Sequence, residues 1–189
     1  MPVSKLNPPL STRKRPQAPT IIVLHATAGA TASSSIDHLR GEGLGYHYII
    51  ARDGADSAST AKSNGSDAMV FHCVDEVHRA SNVGSTVPPP AGSGSFNDLS
   101  VGISLANRQT GEGYTPKQIA ALHEVIAQVK KNAPTITHLT THAVIQPWNR
   151  VDPLEIDGEA VAREHGLVWF EPDAATIAKH KPTKTKKPK

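Results

Sequence analysis

Apolar positions fall into short clusters along this chain, and the period of each cluster predicts its element. Thr20-Ile-Ile-Val-Leu24 is a continuous, mostly β-branched run ending at His25, which predicts a first strand over residues 20 to 25. Thr31 or Ser33 can cap a short helix through Arg40 with Ile36 and Leu39 inward, and Gly41 to Gly45 break it. Tyr46 to Arg52 predicts a second strand, Asp53-Gly54 a tight turn, and Ala55 to Ala61 a third strand. Gly and Ser at 63 to 66 mark a turn before a fourth strand over Met69 to Val74. Residues 99 to 107 alternate with period two through Val101, Ile103 and Leu105. Thr115-Pro116 opens the clearest helix, with Ile119, Leu122, Ile126 and Val129 as its stripe and Lys130-Lys131 near its C-terminus. Thr135 to Thr141 reads as a short strand, and Gly158 to His165 as a last helix stopped by Gly166. Strands interleaved with helices predict an α/β fold, a single mixed central β-sheet flanked by helices.

Between these elements the polar stretches set the limits of the domain. Residues 1–18, rich in Pro, Lys, Arg and Ser, are expected as an extended N-terminal arm. The folded domain is expected over 19–170, and 171–189 as a basic, disordered tail. Ser81 to Ser95, with Val87-Pro-Pro-Pro, is a polar loop that is either a rim or lid of a site or a plain surface insertion. With 189 residues, 38% of them hydrophobic, one sizeable core is the expectation. One cysteine, Cys73, excludes an intrachain disulfide framework and reads as a small buried apolar residue. No apolar run of about 18 residues exists to span a membrane.

The formal charge of +3 comes largely from Lys179, Lys181, Lys184, Lys186, Lys187 and Lys189. A basic end of this kind admits nucleic acid, an anionic cell surface, or solvent alone as its partner.

The chemistry concentrates in His142-Ala-Val-Ile-Gln-Pro-Trp-Asn-Arg-Val-Asp152-Pro153. An imidazole and a carboxylate flank a proline-stiffened turn, and His25 ends a strand far upstream. Two neutral imidazoles and a carboxylate are a common ligand set for catalytic zinc, with the fourth position left to water. His25, His142 and Asp152 are therefore the expected ligands of one Zn²⁺. His138 is left out, because on a strand it lies about 13 Å from His142 although it shares its face. Tyr46 and Tyr48 are expected to point one way and His47 the other, as a hydrogen-bonded side chain.

Four segments carry a resemblance: Leu24-His-Ala-Thr-Ala-Gly29; Gly45-Tyr-His-Tyr-Ile-Ile-Ala-Arg-Asp-Gly54; Asn97-Asp-Leu-Ser-Val-Gly-Ile-Ser-Leu105; and His142 to Pro153. In this order, over about residues 18 to 168, they resemble the zinc-dependent N-acetylmuramoyl-L-alanine amidases of type 2, the superfamily that includes phage amidase lysozymes and peptidoglycan recognition proteins. The resemblance implies hydrolysis of the amide between N-acetylmuramic acid and L-alanine. It implies that Tyr46 donates a hydrogen bond to the oxyanion, and that Arg150, where the family often has Lys, stabilises charge. Arg cannot act as the acid in that place. His78 falls where the family often has a groove-lining His, near Asn97, so both are candidate substrate contacts; a surface position is the other reading of His78. Ser104 departs from the many bacterial members that carry Glu there as a base, and matches the branches that rely on the tyrosine.

The residues 1–10 lack an apolar core of signal-peptide length. The expectation is a monomeric, phage-type endolysin made in the cytoplasm and released to the wall through holes made by another protein. Its partner is peptidoglycan, with anionic wall polymers as a target of the Lys-rich end. A non-catalytic muropeptide-binding module is the alternative.

Overall fold

The structure is a computed structural model that describes residues 3–52 and 69–183. The expected turn at Asp53-Gly54, the strand over 55 to 61 and the turn at 63 to 66 lie outside the described residues, as do Lys184, Lys186, Lys187 and Lys189. In chain order the elements are β1 (Val3–Lys5), β2 (Ile21–Ala26), α1 (Ala32–Glu42), β3 (Tyr48–Ile50), β4 (Val70–His72), α2 (Phe96–Leu99), β5 (Ser100–Leu105), α3 (Pro116–Asn132), β6 (His138–Thr141), α4 (His142–Ile145), α5 (Gly158–Glu164), β7 (Val168–Trp169) and α6 (Ala174–His180). The described strands form one seven-stranded sheet in the order β1-β4-β3-β5-β2-β6-β7. Only the β3–β4 pair is antiparallel, so the sheet is mixed and the fold is α/β as expected.

The central strands β2 and β5 are buried along their whole length. Helices cover both faces of a parallel sheet, which is why β2 reads as a continuous apolar run. On one face Ile22, Leu24, Tyr48, Val101, Ile103 and Leu105 pack against Leu122, Val125, Ile126 and Val129 of α3 and Val161 and Ala162 of α5. The other face is divided between a cluster around α1 (Ile36, Leu39, Ile49, Phe71, Cys73) and one around Ile21, Val23, Phe96 and Ile145. Burial pushes the Cys73 thiol up to about 12, in keeping with a small packing residue.

Helix starts follow local chemistry. The Thr31 side chain caps α1, and Gly43 ends it in the left-handed conformation. A reciprocal Thr115–Gln118 capping box with Pro at the first turn opens α3. The inward stripe of α3 is Gln118, Ala121, Leu122, Val125, Ile126 and Val129, and Ile119 is only half-buried. Gln118 is inside because its Nε2 donates to the Ala106 carbonyl, which satisfies both groups.

Both ends of the chain carry structure at the periphery. The N-terminal arm is tied to the sheet: β1 extends it beside β4, and the half-buried Arg15 guanidinium donates to the carbonyls of His78, Asp98 and Ser100. Within the stretch expected as a disordered tail, Ala174–His180 is helical. Asp173 caps this α6, and Ile177 packs against the Phe96 cluster, an apolar contact that offsets the polar composition.

Leu122 is fully buried at the centre of the α3 interface. Leu122→Ala is expected to cost about 3 kcal/mol of stability, measured as a lower midpoint of urea unfolding at unchanged slope.

Candidate metal centre

The β2–β6 register brings the two distant histidines together. Leu24 pairs with Thr141, so the next residues, His25 and His142, emerge side by side at the C-terminal ends of two parallel strands. Open α/β sheets place their ligands at such ends. Along β2 the alternation Ile21, Val23, His25 puts the imidazole on the face away from α3. Its ring centroid is 4.6 Å from that of His142. Asp152 returns through α4 and the following turn. The Ala143 N–H donates to its carbonyl at 2.9 Å, and the Ala26 N–H to its Oδ2 at 3.3 Å.

His142 Nδ1 lies 3.2 Å from Asp152 Oδ2, and His25 Nδ1 lies 3.8 Å from the same oxygen. One ligand atom from each of the three residues falls within 4.8 Å of the others, the one such cluster among the described residues. His25 is fully buried, and its Nδ1 has no hydrogen-bond partner. An unsatisfied buried nitrogen costs about 1–3 kcal/mol, and a cation held among the three ligand atoms would remove that penalty. Burial lowers the His25 pKa to about 4, so the ring is neutral at pH 7. Burial alone would raise the Asp152 carboxyl, but the His142 and His25 imidazoles beside it hold it well below the usual carboxylate range. A neutral His25 and an ionised Asp152 are the protonation states that divalent-metal binding requires.

A cavity of about 360 Å³ opens on this cluster. Tyr46, Arg150, Leu44 and the Ser81–Gly84 segment line it together with His142 and Asp152. The Tyr46 ring sits 4.8 Å from that of His25. Burial, helped by Asp152, pushes the Tyr46 phenol up to about 12, which keeps it a neutral donor. Arg150 is exposed at the rim. A second hollow of about 410 Å³ shares Thr27, Ala28, Leu39, Leu44 and Tyr46 with the first and runs along α1 past Ser34 and His38. The two hollows adjoin at these five shared residues.

The other sequence candidates are placed elsewhere. Asn97 is buried; its Oδ1 accepts from the Asn82 and Val83 N–H groups, and its Nδ2 donates to the Val83 carbonyl. It clamps a loop backbone and does not line the cavity. His78 is also absent from the lining, and its carbonyl receives Arg15 and His47 Nε2. His138 bonds Thr137 Oγ1 at 2.8 Å and stays out of the cluster.

Tyr46 and Tyr48 do not share a face. Tyr46 packs with the α1 cluster and Tyr48 with the α3 cluster, because β3 begins only at Tyr48 and His47 bends the chain before it. His47 is hydrogen-bonded as expected, accepting from the Gly102 N–H at 3.0 Å. Ser104 faces His25 across the β2–β5 pair, buried and without a hydrogen-bond partner.

The 81–95 loop, expected as either a rim or a surface insertion, walls the cavity with Ser81 to Gly84 and is anchored by buried Val87. Sequence reasoning missed Asn82 and Gln146, which face the far nitrogens of His25 and His142. Nothing in the spacing of Asn82 ties it to a histidine on β2.

No curated protein matches the sequence. Among solved structures, the chain is similar to AmpDh3 from Pseudomonas aeruginosa in complex with anhydromuramic pentapeptide, at 22% identity and TM-score 0.65, covering 89% of this chain and 67% of that one. It is similar to the N-acetylmuramoyl-L-alanine amidase LysC from Clostridium intestinale URNW, at 18% identity and TM-score 0.61, covering 89% and 99%. The ectodomain complex of peptidoglycan recognition proteins LCa and LCx, bound to tracheal cytotoxin, aligns at 16% identity and TM-score 0.62 over 90% and 99%. At these identities the three likenesses speak for the fold. The family assignment rests on residues 15–155, well over half of the chain, which match the family described as N-acetylmuramoyl-L-alanine amidase, and the chain belongs to that family.

Proposed function

We propose that this chain is a zinc-dependent hydrolase that cleaves the amide between N-acetylmuramic acid and L-alanine in peptidoglycan. The observation that carries the reading is the unpartnered, buried Nδ1 of neutral His25, turned toward the same carboxylate oxygen as His142 Nδ1. His25, His142 and Asp152 would hold the ion, which when bound lowers the pKa of a coordinated water to about 7 and polarises the scissile carbonyl. Beside it, the Tyr46 hydroxyl donates to the oxygen that gains negative charge, and the Arg150 guanidinium adds a fixed positive charge at the rim. The Ser81 to Gly84 segment walls the cavity on one side. The groove along α1 gives the flanking saccharide or peptide a place to lie.

An endolysin-like role, acting on the cell wall as a monomer, is the biological setting that accords best with the likeness to the endolysin N-acetylmuramoyl-L-alanine amidase LysCS from Clostridium intestinale URNW along nearly all of that chain. Among the described residues no helix is long and apolar enough to cross a membrane. Anionic wall polymers are the proposed partner of the Lys-rich end, and nucleic acid is not.

A muropeptide-binding module without catalysis is the second reading, favoured by the likeness to the recognition-protein complex. The complete His25–His142–Asp152 cluster with Tyr46 at its side speaks for catalysis.

Product analysis on purified peptidoglycan separates the two. New L-alanine amino groups without new reducing ends are expected; activity is lost after chelation and returns with Zn²⁺. New reducing ends would replace the amidase reading with a glycosidase. Retained muropeptides with no bond cleavage would replace it with the binding module.

A further inference from the structure

We propose that Asn82 is the positioning residue that locks the His25 imidazole with its proton on Nε2 and its lone pair on Nδ1 aimed at the metal position, and that Gln146 does the same for His142. The inference rests on the proposed zinc reading of the cluster.

Asn82 is buried, and its Oδ1 lies 3.2 Å from His25 Nε2. The orientation of its amide is fixed from the other side: Nδ2 donates to the Ala80 carbonyl at 3.2 Å and to Ser100 Oγ at 3.3 Å. A carbonyl oxygen only accepts, so the amide nitrogen faces Ala80 and the amide oxygen faces the ring. That oxygen also only accepts, so His25 Nε2 carries the proton and Nδ1 is left bare.

His142 repeats the pattern. Its Nε2 lies 3.3 Å from Gln146 Oε1, and the Gln146 amide nitrogen donates to Asn149 Oδ1 at 2.7 Å. Both Nδ1 atoms face Asp152 Oδ2, at 3.8 Å for His25 and 3.2 Å for His142. With Nε2 protonated, the two Nδ1 atoms and the carboxylate oxygen present three ligand atoms to one place, and a divalent cation bound there would be coordinated by all three.

Two further residues build the seat of Asn82. Asn97 holds the Asn82 and Val83 backbone amides. At Gly102 a side chain would bring Cβ within 3.0 Å of Asn82 Cγ, so glycine there lets the amide approach β5. The Asn97–Leu105 segment thus helps to seat Asn82.

The test measures Zn²⁺ dissociation constants against a competing chelator for the full chain and for Asn82→Leu and Asn82→Asp. Leu is similar in size and removes the acceptor; Asp keeps an acceptor but loses the Nδ2 donors. Asn82→Leu is expected to bind zinc about 10–100-fold more weakly, with Asn82→Asp within about threefold of wild type or tighter. Equal weakening by Leu and Asp would assign the effect to the donors toward Ala80 and Ser100 and overturn the positioning role. Unchanged binding by Asn82→Leu would overturn it as well.

The wild-type titration is read by itself: no zinc binding there would remove the zinc reading, a result distinct from an indifferent Asn82 variant. A second measurement needs no variant. In Cd²⁺-loaded, ¹⁵N-histidine-labelled wild type, nitrogen–cadmium coupling is expected at Nδ1 of both histidines with Nε2 protonated. Coupling at His25 Nε2 would overturn the proposal.

Discussion

His25→Ala or His142→Ala is expected to remove stoichiometric zinc and to lower amide hydrolysis by at least about a thousandfold. Each imidazole supplies one of the three ligand atoms that fall within 4.8 Å of one another. With either gone, two ligands remain, fewer than zinc sites of the hydrolytic kind use. Lewis-acid polarisation and activation of water together supply several kcal/mol of barrier lowering, and each 1.36 kcal/mol is about tenfold in rate, so a loss of roughly 4 kcal/mol gives the thousandfold figure. Metal content by mass spectrometry, with far-ultraviolet circular dichroism as a folding control, reads the result. His138→Ala is the internal comparison: His138 opens β6, the strand that leads into His142, but bonds Thr137, so its zinc content and turnover should match wild type. Stoichiometric zinc retained in either His25→Ala or His142→Ala would remove that residue from the ligand set.

The histidine pair was legible because it needs little three-dimensional information. An apolar run ending in His25 and a β-branched run ending at Thr141 each forecast a strand with an imidazole at its end. The β2–β6 register adds the one missing fact, that the two ends are neighbours. The central sheet was legible for the same reason: β2 and β5 announce themselves through burial on both faces.

The peripheral elements were not legible. β7 spans only Val168–Trp169, and α6 is held by one apolar contact through Ile177 in a polar sequence. In neither does periodicity have room to build. Asn97 shows a different limit. A motif marks it as special, yet whether an asparagine faces a ligand or a loop backbone depends on what packs beside it, here the amides of Asn82 and Val83. The Tyr46–Tyr48 expectation failed on a single bend at His47, since one non-strand residue reverses every face assignment before it.

Tyr46→Phe tests the remaining half of the chemistry, because it deletes one hydroxyl and keeps the ring that packs 4.8 Å from His25. Zinc content should stay stoichiometric, since His25, His142 and Asp152 supply the proposed ligand atoms. Turnover is expected to fall by about 10²–10³, the usual cost of removing one donor aimed at an oxyanion. With its pKa raised to about 12 by burial, the phenol holds its proton across the neutral range. The contribution we propose for it is therefore a hydrogen bond that strengthens as charge develops on the substrate oxygen. Such an interaction is made mainly in the transition state, so kcat should carry the loss while KM changes little. A KM increase at constant kcat would instead mark Tyr46 as a wall of the groove it shares with Leu39 and Leu44. Near-normal kcat and KM together would leave Arg150 as the group in this cavity that answers the developing charge.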